Sequence, residues 1–192
     1  MLINIRMLKA VAVAASTEQT RYYLNGVNLQ VANGDAIMVA TNGHFMLGAR
    51  WAIDVAEACT CIIPLALIKS LKLDRKAGDM AEFTFDGTTI TIKYAGNTYG
   101  SGAVDGSFPN WRPIVPKAPA SGVAAQFNVE YLAAFAAAAR IMGAKESSVM
   151  VAHNGDDPAL VTWHSEDTFG VIMPLRASAC NIPTTAPGWA RA

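Results

Sequence analysis

Charge imbalance is what this chain most conspicuously lacks: 15 Lys and Arg stand against 15 Asp and Glu in 192 residues, for a formal net charge of zero. A neutral chain sets up no global field that would draw it onto nucleic acid by phosphate neutralisation and counterion release. Contact with DNA then has to come from local patches or from ring topology. Cysteine is also scarce. Cys59, Cys61 and Cys180 are an odd number without framework spacing, which excludes a disulfide-stapled secreted scaffold and fits a reducing cytoplasm. No apolar run approaches the ~18 residues that span a bilayer, so a soluble protein without a membrane partner is expected. The start, MLINIRMLKAVAVAAS, sets Arg6 and Lys9 before small residues in the manner of a signal peptide, but its uninterrupted apolar part, residues 10–15, is shorter than an export core.

Catalytic constellations are missing as well. His44, His153 and His164, with the carboxylates Asp105, Asp156, Asp157, Glu166 and Asp167, show no catalytic spacing. There is no phosphate loop, nucleophile elbow or metal-binding helix motif. Cys59-Thr60-Cys61 has one intervening residue where structural zinc sites use two to four, and it lacks a second ligand pair. In a strand the two thiols simply share a face. His153, beside the turn Asn154-Gly155, reads as an exposed strand-end residue. The expectation is a protein that is not an enzyme and needs no cofactor or metal.

What is present is apolar side chain in periodic order. With 52% hydrophobic residues and a mean hydropathy of +0.25, the chain can bury a core in one or two domains. Met7, Leu8 and Val11 fall at helical spacing, and TRYYLNGVNLQV then turns strand-like. VNLQV and AIMVA flank Asn33-Gly34-Asp35, the pattern of an antiparallel hairpin, with a further turn at Asn42-Gly43. A second passage opens with TCII, places Pro64 at a first helical turn, and continues with Leu65, Ile68 and Leu71 on one face. EFTF, TITIKY and TYGSGAV follow, separated by Asp86-Gly87 and Ala95-Gly96-Asn97. A third passage begins at AQFNV. Asn128 caps a helix whose stripe is Val129, Leu132, Phe135 and Met142, Gly143 stops it, and SSVMVAH, ALVTW and FGVIMPLR read as β segments. One strand-helix-three-strand plan thus recurs three times, in an α+β fold of antiparallel sheets.

Four motifs, RYYLNG (21–26), ATNGHF (40–45), DGSFPNWRPIVP (105–116) and VIMPLR (171–176), resemble in order those of the bacterial sliding DNA clamp, the beta subunit of DNA polymerase III. The resemblance implies the DNA clamp fold. It reads residues 1–116 as one complete clamp-like domain of two units, similar to the family's middle domain. Residues 117–125 then form a linker with PIVPKAPASG around it, 126–176 the closing half of the last domain, and 177–192 a tail.

The family holds short hydrophobic peptides of polymerases and other DNA enzymes in a cleft between its middle and last domains. Carried over by position, that cleft comprises Leu24, Thr41, Gly43, His44 and Met46, then Pro109 and Ile114, and from the half domain Asn128, Tyr131, Val171, Met173, Pro174, Leu175 and Arg176. Apolar walls, adaptable methionines and a few orienting polar groups such as His44 and Asn128 suit a peptide groove. Taken singly, Leu24, Ile114, Tyr131 and Val171 also read as interior residues of their elements. Met173-Pro174-Leu175-Arg176 reads as cleft rather than inert termination, because proline ends strand pairing and exposed Met and Leu call for a partner. Tyr22 and Tyr23 match tyrosines that lie near DNA in the family; adjacent in a strand, they would point to opposite faces.

The departures are Asn42 where the family has an acid, Phe45 where it has arginine, and Pro113 for a second arginine, which makes the cleft less polar. Two functions are carried forward. One is a non-catalytic processivity clamp, a homo-oligomeric ring on double-stranded DNA that tethers a polymerase by its peptide. The other is a non-encircling module, for instance a phage-type decoy that captures clamp-binding peptides.

Overall fold

In a computed structural model of the chain, residues 1–54, 58–116, 125–145, 148–163 and 165–176 are described. His164, Cys180, most of the expected linker (117–124) and the expected tail (177–192) lie outside them. The first unit is strand β1 (Leu2–Asn4), helix α1 (Ile5–Val11), and strands β2 (Gly26–Ala32), β3 (Asp35–Thr41) and β4 (Phe45–Ala52). The second is β5 (Cys59–Pro64), α2 (Leu65–Ser70), β6 (Met80–Phe85), β7 (Thr89–Tyr94) and β8 (Asn97–Gly102). The third is α3 (Val129–Ile141), β9 (Met150–Asn154), β10 (Asp157–Thr162) and β11 (Thr168–Ile172).

Local chemistry accounts for the starts and stops. The Asn4 side chain accepts from the Met7 N–H at 2.9 Å and caps α1, and Asn128 does the same for α3 through the Glu130 N–H at 2.9 Å. Gly143, at φ +92°, follows the end of α3. Pro64 closes β5 rather than opening the first turn of α2. A cap of this kind contributes about 1 kcal/mol. Asn128→Ala is therefore expected to lower unfolding free energy by about that amount, read from the urea midpoint at unchanged slope.

Four expectations are corrected. Among the described residues ahead of α3 the chain makes only an isolated bridge, Gln126 with Leu175, so the third unit lacks there the opening strand that the recurring plan implied. The segment Gln19–Leu24 is a 3-10 turn and not a strand, so Tyr22 and Tyr23 do not alternate across a sheet; they meet edge to face with centroids 5.9 Å apart, and Tyr22 is 54% exposed. Val129 is 73% exposed, because as the first residue of α3 it precedes the turn that reaches the core; Phe135, Ala138 and Ala139 carry the buried stripe. His153 is half-buried, with its Nδ1 shielded from solvent, since β9 runs one residue past it.

The sheets are built by exchange. β1 of the first unit pairs antiparallel with β6 of the second, giving the order β1-β6-β7-β8, and β5 of the second pairs antiparallel with β2 of the first. The third unit joins through β11, which pairs antiparallel with β4, so one seven-stranded sheet runs β5-β2-β3-β4-β11-β10-β9. Buried side chains of both sheets and all three helices form one apolar cluster. Polar ties hold the helices in it. Lys9 Nζ donates to the carbonyls of Ile68 and Leu71 at the end of α2, at 3.0 and 2.7 Å, and burial lowers its pKa. Arg6 pairs with Asp79 at 2.9 Å and donates to the carbonyl of Ile141 at the end of α3.

Cys59 and Cys61 share one face of β5, as their spacing implies. Cys61 is buried against the core, and desolvation, with a smaller contribution from Cys59, pushes its thiol up to about 12. The reactive thiolate is then absent at neutral pH. Cys61 is expected to resist alkylation in the folded protein and to label only on unfolding, a difference that peptide mapping after iodoacetamide treatment detects.

Candidate peptide-binding cleft

The turn between β3 and β4 builds one wall. Asn42 Oδ1 accepts from the backbone N–H groups of His44 and Phe45 at 3.0 and 3.1 Å, Thr41 Oγ1 donates to the Phe45 carbonyl at 2.8 Å, and the same hydroxyl accepts from the Gly43 N–H at 3.0 Å. Asparagine here supplies the acceptor that an aspartate would, without its charge. Gly43 sits at φ +90°, a conformation that strains any L side chain, so the backbone calls for glycine; the nearest atom to a Cβ there is the tip of the flexible Arg21 side chain, which can move aside.

The register of β4 against β11 sets the floor. Met46 lies opposite Val171 and Phe45 opposite Ile172, and the chain leaving β11 is bound to the turn where the Met173 N–H donates to the His44 carbonyl at 2.9 Å. On that face Val39, Met46, Trp111 and Val171 form a small core of their own. Phe169 leans on Trp111 at 5.6 Å between centroids, and Gly48 leaves room for the Phe169 ring. On the opposite face Gly170 gives way to Phe135. Small residues at these two neighbouring positions thus let the third unit seat large rings on both sides of the joint.

Between these walls lies an open cleft of about 420 Å³. It contains nine of the fourteen residues expected from the sequence: Leu24, Thr41, Gly43, His44, Met46, Pro109, Ile114, Val171 and Met173. Leu24 and Val171 are buried, so they form its floor as core residues, whereas Ile114 and Met173 are exposed on its rim. The departures Phe45 and Pro113 line it too, in place of charged side chains.

The third unit contributes by contact with that wall. Tyr131 of α3 stacks on His44 at 5.8 Å and on Phe45 at 5.0 Å, which puts it beside the cleft mouth, with Asn128 at the start of the same helix. Pro174, Leu175 and Arg176 lie outside the cleft proper. Leu175 donates its N–H to the Gln126 carbonyl at 2.7 Å, and Arg176 is exposed. Tyr22 and Tyr23 are not among its lining residues.

Two lining residues were not anticipated, Trp111 and Pro158. Trp111 is 8% exposed and carries the Arg112 guanidinium over its ring at 4.5 Å. Pro158 comes from the β9–β10 hairpin, which no local signal in the sequence directs to this place. A larger cleft of about 710 Å³ lies between β5 and residues 103–108; its walls include Asn28, Gln30, Thr60, Thr88 and Asp105, and none of the fourteen residues belongs to it. Among the described residues, no group of three or more His, Cys, Asp or Glu side chains is placed to hold a metal ion, and no helix is long and apolar enough to cross a membrane.

Comparison with known proteins places this geometry. The family described as DNA polymerase III beta subunit, central domain, matches residues 4–110. The beta sliding clamp of Proteus mirabilis is 26% identical over 125 residues, 62% of this chain and 34% of that protein, and the Escherichia coli K12 clamp is 27% identical over 116 residues, 59% and 32%. This chain therefore spans about a third of the curated relatives it matches. The solved sliding clamp of Bacillus subtilis superposes with a TM-score of 0.74 at 16% identity, over 92% of this chain and 64% of that one. The Borrelia burgdorferi subunit, solved in complex with a natural product, gives 0.75 at 15% identity over 91% and 62%. With a family match over more than half its length, the chain belongs to the DNA polymerase III beta subunit, or bacterial sliding clamp, family.

Proposed function

We propose that this chain is a non-catalytic clamp-type processivity element of DNA replication, working in the cytoplasm, that captures short hydrophobic peptide motifs of a polymerase or another DNA enzyme in the cleft over the β4–β11 seam. The observation that carries the reading is the cleft itself. Its apolar floor of Leu24, Met46 and Val171, with Met173 on the rim, leaves His44 and Thr41 as the polar side chains that fix a ligand's direction. Phe45 and Pro113 stand where the family has arginines, which favours apolar peptides over acidic ones.

The test is fluorescence anisotropy with a short peptide ending in leucine-phenylalanine. Saturable one-site binding that disappears when the two terminal residues become alanine supports the proposal; equal binding of both peptides sinks it.

In this reading Tyr22, on the exposed turn with Tyr23, is the group offered to duplex DNA, and several copies associate around it. The alternative, a module that binds the same peptides without encircling DNA, draws support from one observation. Arg6 and Lys9 of α1 are engaged with Asp79 and with helix-end carbonyls rather than presented to phosphates. Retention on nicked circular DNA and loss from linear DNA of equal length separates the two: a ring stays only on circles, and the module stays on neither.

A further inference from the structure

We propose that two copies of this chain complete each other by exchanging the segment ahead of α3: residues 125–128 of one copy add as a strand, antiparallel, to the outer edge of β9 of the other, with Gln126 opposite Met150. The inference adds a partner to the proposed function and rests on the clamp-type fold rather than on peptide binding.

The first two units show the rule. In each, the residue just before the helix pairs with the first residue of the other unit's post-helix strand: Asn4 with Met80, and Pro64 with Gly26. The third unit has a donor and an acceptor of the same kind, but no sibling among the described residues. Its donor is recognisable from the return contact. Three residues before α2, the Ile62 carbonyl accepts from Val104, which follows β8; three residues before α3, the Gln126 carbonyl accepts from Leu175, which follows β11. Gln126 is thus the counterpart of Ile62, and Ile62 pairs across β5–β2 with Asn28.

The acceptor is β9, the last strand of the seven-stranded sheet. Counting back from the hairpin turns fixes the counterpart of Asn28. Ala32 pairs with Asp35 around its turn as Asn154 pairs with Asp157, so four residues earlier Asn28 corresponds to Met150. Met150 is 70% exposed, although it is an apolar side chain on a strand.

An unpaired sheet edge invites another strand, and natural edges are usually blunted by charge or proline. Neither guards this one: the segment Ser148-Val149-Met150-Val151-Ala152-His153 and the donor Ala125-Gln126-Phe127-Asn128 contain no Lys, Arg, Asp, Glu or Pro. The two surfaces therefore meet without like-charge repulsion. Donor and acceptor lie on one chain, so a two-fold axis satisfies both at once and closes this interface at two copies. Each seven-stranded sheet then gains an eighth strand where β5 already sits beside β2 at its other end. The same pairing anchors Asn128 and the start of α3, which carry one side of the cleft.

The register also states which bonds form. Because the Ile62 carbonyl faces away from β2, the bonded pairs there are Ile63 with Val27 and Cys61 with Leu29. Their counterparts between copies are Phe127 with Val149 and Ala125 with Val151.

The test uses the full chain. Sedimentation is expected to give twice 20.3 kDa at micromolar concentration, and a particle of 20.3 kDa throughout would overturn the proposal. With Cys59, Cys61 and Cys180 replaced by serine, Gln126→Cys with Met150→Cys is expected to form a disulfide-linked dimer on mild oxidation, since facing non-bonded strand pairs fall within disulfide reach. Neither single variant should do so. A Met150→Cys variant that links to itself would show β9 meeting β9 and overturn the exchange, as would a double variant oxidised within one chain. Should the serine background fail to fold, Val151→Pro in the natural chain keeps the test. Loss of an edge N–H should weaken the dimer about tenfold while the far-ultraviolet spectrum is unchanged; an unchanged dimer would count against the pairing. Peptide anisotropy on the same samples reports on the cleft separately.

Discussion

Phe135→Ala is expected to destabilise the protein by about 3–5 kcal/mol, the usual cost of emptying a fully buried aromatic site. Phe135 is fully buried on α3, and its ring occupies the space that a side chain at Gly170 would otherwise take. Phe45 meets it edge to face at 5.5 Å and Trp163 lies 6.3 Å away, so the ring joins α3 to both β4 and the third unit's own strands. Because Gly170 lies beneath it, β11 offers no side chain at that position to fill the hole. The urea midpoint should fall accordingly. A loss below about 1 kcal/mol would mean that the third unit is held to the sheet by its β4–β11 ladder and not by this ring. Gly170→Val should give a loss of similar sign by the opposite route, overpacking against the Phe135 ring.

The second large effect concerns the ligand. Met173→Ala combined with Tyr131→Ala is expected to weaken binding of the leucine-phenylalanine peptide about a hundredfold, roughly 3 kcal/mol. Met173 is 39% exposed on the cleft rim, where its flexible side chain can adapt to a guest; Tyr131 stacks on His44 and Phe45 and holds that wall upright. Neither is fully buried, so the double variant should unfold within about 1–2 kcal/mol of the parent, which separates loss of binding from loss of fold. Unchanged affinity in the double variant would remove both residues from the site.

These two effects lie where local and long-range information divide. The hairpins were legible because Asn33-Gly34 and Ala95-Gly96 sit at positive φ between alternating runs, and the cap of α3 because Asn128 places an acceptor over a free helix-end N–H; the equivalent cap of α1 by Asn4 emerged only from the structure. Periodicity identified Phe135 but misplaced Val129, since the apolar stripe of α3 begins only once the helix has reached the core. Tyr22 and Tyr23 have strand-forming chemistry, yet the 3-10 turn that Gln19–Leu24 adopts is a tertiary outcome in which Leu24 is buried and Tyr22 is not.

For the cleft, the motifs located most of the lining, because those stretches carry their own turn chemistry and proline breaks. What they could not supply was adjacency. Pro158 reaches the cleft only through the β9–β10 hairpin, and Trp111 only through its packing on Phe169. The joining of β11 to β4, which brings Val171 against Met46, is a pairing between residues over a hundred positions apart and leaves no trace in either strand alone. The glycines at 48 and 170 are the nearest thing to a signal, and they read as weak strand residues until the rings above them are known.

The most direct measurement of the central claim is a methyl NMR titration with methionine-labelled protein. Adding the leucine-phenylalanine peptide should shift the Met46 and Met173 methyl signals first and together, at the stoichiometry of one peptide per chain, while Met38, buried in the main core, stays fixed. Shifts confined to methionines outside the cleft, or no saturable shift of Met46 and Met173 at peptide concentrations that bind elsewhere, would contradict it.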